Sequence, residues 1–174
     1  HSFTVQDAGG GSQRTLSMTS ANVTSTPVQN VRTIATASGP VGYLLFNDHI
    51  ATSEAGLVSA ITTLRDTGIV DLMLDVRYNG GGFLDIASEL AYMIAGNART
   101  SGRSFELLQF NDQHTTRDPV TGETLAPMPF HPAAEGFSVT AGTPLPALNL
   151  GRVYVITGSG NPMDDNGHGT HVAG

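Results

Sequence analysis

From Pro40 onward the chain alternates between continuous apolar runs and stretches in which apolar residues recur every three or four positions. "VGYLLF" (41–46) is apolar throughout and predicts a buried strand. In "SEAGLVSAITTLRDTG" the residues Leu57, Ile61 and Leu64 fall on one helical face, with Ser53 predicted as the N-cap and Gly68 as the stop. "IVDLMLDV" (69–76) is again nearly continuous, as a strand covered on both faces of a parallel sheet should be. After "RYNGGG" a second helix is predicted from Phe83, Ile86, Leu90 and Ile94. "SFELLQF" (104–110) and "RVYVIT" (152–157) complete the predicted strands, with Phe105, Phe110 and Tyr154 assigned to the core. Strand, helix, strand, helix, strand is the order of βαβ crossovers, so an α/β fold is expected.

The flanks differ. Residues 1–26 alternate short β-like runs with turn residues, and "GGG" at 9–11 predicts a hairpin turn. Residues 111–151 hold six of the nine prolines and show no helical period, which is long for a connection without structure of its own. The segment is expected to be either a functional flap or a set of short edge strands.

The stretch "LMLDVRYNGGGFLDIASEL" bears most directly on chemistry. Three glycines join the carboxyl end of a buried strand to the first turn of a helix, where open α/β sheets bind ligands and unpaired N–H groups point outward. Such amides can cradle an oxyanion, and Asp85 in the first helical turn suits the helix dipole. A tight turn that needs glycine for geometry alone explains the same run. A phosphate loop does not, because "GGGFLD" lacks the Lys-Ser/Thr pair.

Composition narrows the classes. A chain of 174 residues is long enough to bury roughly 70% of the surface its unfolded form exposes. Eight basic against 15 acidic residues, a net charge of −7, argue against a nucleic-acid partner. With no cysteine there is no disulfide, thiolate zinc site or cysteine nucleophile. The apolar runs are too short to span a bilayer. The acidic, cysteine-free composition suits a secreted or periplasmic bacterial protein, although nothing near His1 has the basic-then-apolar layout of a signal peptide.

Taken together, "VGYLLFNDHI", the helix after it, "DLMLDVRYNGGGFLDIASELAYMI" and "LNLGRVYVITGSG" resemble the serine peptidases of the C-terminal processing protease and tricorn core family over residues 28–160. The resemblance implies a crotonase-like (ClpP-like) core at 27–160, preceded by the trailing strands of a PDZ-like domain at 1–26. It implies a polypeptide substrate and no metal or organic cofactor. In that family the glycine turn supplies one oxyanion-hole N–H, which falls on Gly81 or Gly82, with Gly82 favoured. Losing such a donor costs roughly a hundred- to a thousand-fold in rate. Asp75 and Arg77 match the family's Asp-x-Arg, with Arg77 expected to anchor the loop; a merely solvated Arg77 is the alternative. Asn79 and Gly80 are grouped with them as supporting residues.

The family's nucleophile turn is missing. Aligned without a gap, its serine position is held by Met163, and Ser159 belongs to the preceding loop. No lysine stands where the family's base would be. Removing a nucleophile costs on the order of a million-fold in turnover, so this chain alone is expected to be inactive.

The tail, 161–174, reads differently. "DDNGHGTHVAG" is similar to the histidine block of subtilisin-like proteases, which makes His168 the candidate general base. Such catalysis also needs an aspartate and a serine. "DTGI" copies the aspartate motif, but Asp66 ends a predicted helix, and no serine block exists. The tail is therefore expected to be a junction, natural or artefactual. Asp164, Asp165, His168 and His171 lie close enough for a metal, without a scaffold to hold them. His49 either faces the cleft or is a loop histidine satisfied by backbone, and His114 and His131 are expected to be exposed. The rival functions are a non-catalytic peptide-binding domain, a subtilisin-like protease fragment, and acyl-coenzyme A chemistry on the same fold, which the scarcity of basic residues disfavours.

Overall fold

The computed structural model describes residues 1–158. Its centre is a four-stranded sheet in the order β3–β4–β5–β8, formed by β3 (Val28–Thr36), β4 (Gly39–Phe46), β5 (Asp71–Asp75) and β8 (Val153–Ile156). β3 runs antiparallel to β4, while β4, β5 and β8 are mutually parallel. The parallel pairs need crossovers, and these carry helices α1 (Ala51–Asp66) and α2 (Leu84–Ala95). Outside the sheet lie β1 (Ser2–Val5) and β2 (Arg14–Ser17), the short helix α3 (Asn97–Thr100), and β6 (Ser104–Glu106) paired with β7 (Met128–Pro129).

The core explains why the apolar runs were readable. Leu44 and Phe46 of β4, Leu72 of β5, Leu57, Ile61 and Leu64 of α1, and Ile86 and Met93 of α2 have no exposed surface. Each such side chain contributes roughly 1.5–3 kcal/mol by leaving water. Strand β5 is buried along nearly its whole length because a strand flanks it on either side.

Three expectations are corrected. Helix α1 starts at Ala51, so Ser53 lies in its first turn; its Oγ accepts the Ile50 N–H at 3.2 Å and donates to the Asp48 carbonyl at 2.6 Å. "SFELLQF" does not join the central sheet: only Ser104–Glu106 is strand, paired locally with β7, and β8 takes the place beside β5. Phe110 and Tyr154 are 39% and 48% exposed, so neither belongs to the core, whereas Phe105 is half-buried against Phe130.

The proline-rich segment is tied down. Ser88 Oγ donates to the Pro129 carbonyl and accepts the His131 N–H, both at 2.9 Å, and Ala134, Leu145 and Leu150 enter the core. Apart from β7 the segment is irregular, with isolated bridges at Arg117–Thr124 and Ala133–Pro144, and its residues 127–150 form a cover over α1 and α2.

Candidate active site

At the carboxyl edge of the sheet, the chain leaving β4 meets the chain leaving β5. Residues 47–50 and 80–83 run side by side, joined by Gly80 N–H to Asn47 O (3.1 Å), His49 N–H to Gly81 O (2.8 Å) and Phe83 N–H to His49 O (2.9 Å). Gly82 sits inside this seam at φ 131°, and a Cβ there would collide with the His49 carbonyl. Both the backbone angle and the close approach require glycine at that position. Gly81, at φ 84°, has open space around it.

The three amides of the turn are not equivalent. Gly80 N–H is bonded to Asn47, as above, and Gly81 N–H donates to Asn79 Oδ1 at 2.8 Å. Among the described residues nothing accepts from the Gly82 N–H, and Gly82 is exposed. Asn79 organises the turn: its Nδ2 donates to the Phe46 carbonyl at 3.0 Å, and its Oδ1 receives Gly81 N–H and faces His49 Nδ1 at 2.9 Å. An amide oxygen only accepts, so His49 Nδ1 carries the hydrogen and Nε2 the lone pair. Burial holds the His49 pKa below the usual range, which keeps the ring neutral.

His49 lines a cavity, and its ring bonds to the side chain of Asn79. It is 4% exposed, packs edge-on against Phe46 with centroids 4.5 Å apart, and forms part of the wall of that cavity, of about 330 Å³. Phe46, Leu90, Ile94, Phe105 and Phe130 make most of the remaining wall apolar.

Asp75 and Arg77 secure the start of the turn. Arg77 grips the Asp75 carboxylate in a fork, with Nε to Oδ1 at 3.0 Å and Nη2 to Oδ2 at 2.8 Å, and its own N–H adds a bond to Oδ1 at 3.2 Å. Tyr43 donates its hydroxyl to Oδ2 at 2.7 Å. Asp75 has no exposed surface, and these bonds, the Arg77 guanidinium first, pull its pKa down to about 2. Arg77 is thus held by its neighbour, although its side chain is 46% exposed.

The other expected residues separate from this site. Asp66 is at the end of α1, paired with Arg65. Ser159, Met163, Asp164, Asp165, His168 and His171 lie outside the described residues. His114 is exposed, but His131, expected to be, is 15% exposed and contacts Asp85 and Glu135 at 3.1 Å each. Sequence reasoning passed over Glu54 and Glu89, which are fully buried. The signal for both was a carboxylate in line with the apolar face of a helix, Glu54 with Leu57 and Ile61, and Glu89 with Ile86 and Met93.

Comparison with known proteins adds the lineage. No curated protein matches this sequence. An S41 protease structure from Bacteroides fragilis is 25% identical with a TM-score of 0.60, matching 90% of this chain and 39% of its own. The photosystem II D1 C-terminal processing protease is 18% identical with a TM-score of 0.51, over 92% of this chain and 36% of its own. The chain therefore spans well under half the length of either structure. The profile of Peptidase family S41 matches residues 40–159, more than half of the chain, so the chain belongs to peptidase family S41.

Proposed function

We propose that this chain is the oxyanion-bearing part of a serine endopeptidase of the C-terminal processing type, acting on polypeptides, with residues 27–160 a partial crotonase-like core and residues 1–26 a remnant of a PDZ-like domain. The observation that carries the reading is the Gly82 N–H, the one amide of the glycine turn without a partner among the described residues, at the mouth between β5 and α2. In acyl transfer the carbonyl oxygen gains negative charge as the nucleophile adds, and a fixed donor stabilises that state more than the ground state. Gly82 is the donor in this reading. Gly81 is not, because its N–H is taken by Asn79. Asn79, Gly80, Asp75 and Arg77 position the donor, and the cavity walled by His49 suits an apolar side chain of the substrate.

The nucleophile register is held by Met163, so the chain alone is proposed to be inactive. A peptidase assay with a serine-directed fluorophosphonate is expected to give neither turnover nor labelling; turnover abolished by the probe would overturn this. For the donor, the chain labelled with nitrogen-15 is titrated with a short peptide ending in an apolar residue. At millimolar peptide the Gly82 amide resonance is expected to move more than that of Gly81. Shifts at the cavity residues with none at Gly82 would sink the oxyanion assignment.

A further inference from the structure

Behind the glycine turn, helices α1 and α2 each bury a carboxylate against the proline-rich cover. Glu54 of α1 accepts three backbone amides, Gly136 on Oε1 at 3.0 Å and Ser138 and Val139 on Oε2 at 2.5 and 2.6 Å. Glu89 of α2 accepts the Glu135 N–H on Oε1 at 2.8 Å, while its Oε2 is buried and receives no donor. Neighbouring bonds extend the grip: Ser138 Oγ donates to Ala51 O at 2.7 Å and accepts Ala55 N–H at 3.0 Å. In sequence Phe137 falls among the residues whose amides the two carboxylates receive, and its ring lies tilted against Phe83 with centroids 4.5 Å apart. Phe83 directly follows Gly82 and is the N-cap residue of α2.

A carboxylate that accepts three N–H groups needs its charge. A second buried carboxyl beside it, with one oxygen bare, cannot keep its own without a large penalty. The stable arrangement is one proton shared by the pair and carried on Glu89.

We infer that Glu54 and Glu89 form a proton-dependent latch, which holds residues 135–139 down when Glu89 is protonated and loosens them, together with the Phe137–Phe83 contact behind the glycine turn, when Glu89 ionises. This latch does not rest on the peptidase reading.

The direction of the pH dependence follows from the two carboxyls. Burial, with the charges of Glu54 and Glu135 added, pushes Glu89 up to about 7, whereas the backbone amides hold Glu54 below the usual carboxylate range. The closed form then binds a proton that the open form, with Glu89 near 4.5, has released. Closure is complete below about 4.5 and is lost as pH rises through about 7. Glu54 acts in the opposite sense, releasing the cover only at pH below the ordinary carboxylate range. The remaining ionisable groups at this face are Asp85 on α2, and His131 and Glu135 on the cover, joined through the His131 ring.

Hydrogen–deuterium exchange of residues 135–139 in the full chain, corrected for the intrinsic rate at each pH, reads the latch directly. The opening constant is expected to rise by roughly fifty- to a hundredfold between pH 5 and pH 8. In Glu89→Gln the amide mimics the protonated acid, so the rise should vanish, whereas in His131→Asn it should persist. An equal rise in Glu89→Gln, a rise abolished by His131→Asn, or no rise in the unaltered chain overturns the proposal. Should Glu89→Gln fail to fold, the carbon-13 carboxyl resonance of Glu89 in the unaltered chain decides: a midpoint above about 6 supports the latch, and any lower midpoint overturns it.

Discussion

At the scale of single residues, the site is governed by who receives each hydrogen bond. Asp75 shows this best, because its carboxylate serves Arg77 and Tyr43 at once and is held near 2. A carboxylate whose folded pKa is depressed contributes stability that is complete above its unfolded value near 3.8 and disappears as pH falls through about 2. Thermal unfolding of Asp75→Asn beside the unaltered chain should therefore show a gap that is widest above pH 4 and narrows toward pH 2. The Asp-x-Arg pair and the glycine run were legible in the sequence, since both are short and local. Which amide stays unbonded was not, because it depends on Asn79 reaching Phe46 and Gly81 on two separate segments. Glu54 and Glu89 were missed for the same reason: the amides they receive lie more than 40 residues away along the chain.

At the scale of elements, period and burial agreed wherever both faces of a strand or one face of a helix met the core. β4, α1, β5 and α2 were read from that agreement, to within a few residues at their ends, whereas β8 was read from its apolar run alone, since Tyr154 and Val155 are 48% and 39% exposed. The failure at 104–110 is instructive. "SFELLQF" has strand-like composition, but Leu107 and Leu108 are 47% and 43% exposed, and the place beside β5 belongs to β8. Composition reports what a segment tolerates, whereas pairing depends on which segment reaches the sheet. Truncation separates the two cases. Leu72→Ala in β5 should cost about 2–5 kcal/mol in urea unfolding, and Leu107→Ala about 0.5 kcal/mol or less.

At the scale of the whole molecule, the hairpin of β1 and β2 stands apart from the rest. Its strands are almost wholly exposed, and the side-chain bonds of residues 1–18 all close within that segment. A lone two-stranded hairpin is marginal in water. Removing residues 1–20 is accordingly expected to shift the unfolding midpoint by less than about 2 °C, measured by calorimetry. The cover formed by residues 127–150 is the opposite case, since its amides donate to buried carboxylates on both helices and its leucines complete the core.

The seam between residues 47–50 and 80–83 has a bearing on heredity. It is stitched by main-chain amides and carbonyls, which every amino acid except proline can supply. Asn47, His49 and Phe83 could thus be exchanged over many generations without undoing those stitches, whereas Gly81, by its backbone angle, and Gly82, pressed against a carbonyl as well, leave little such latitude. A turn built this way can outlast most of the letters that spell it.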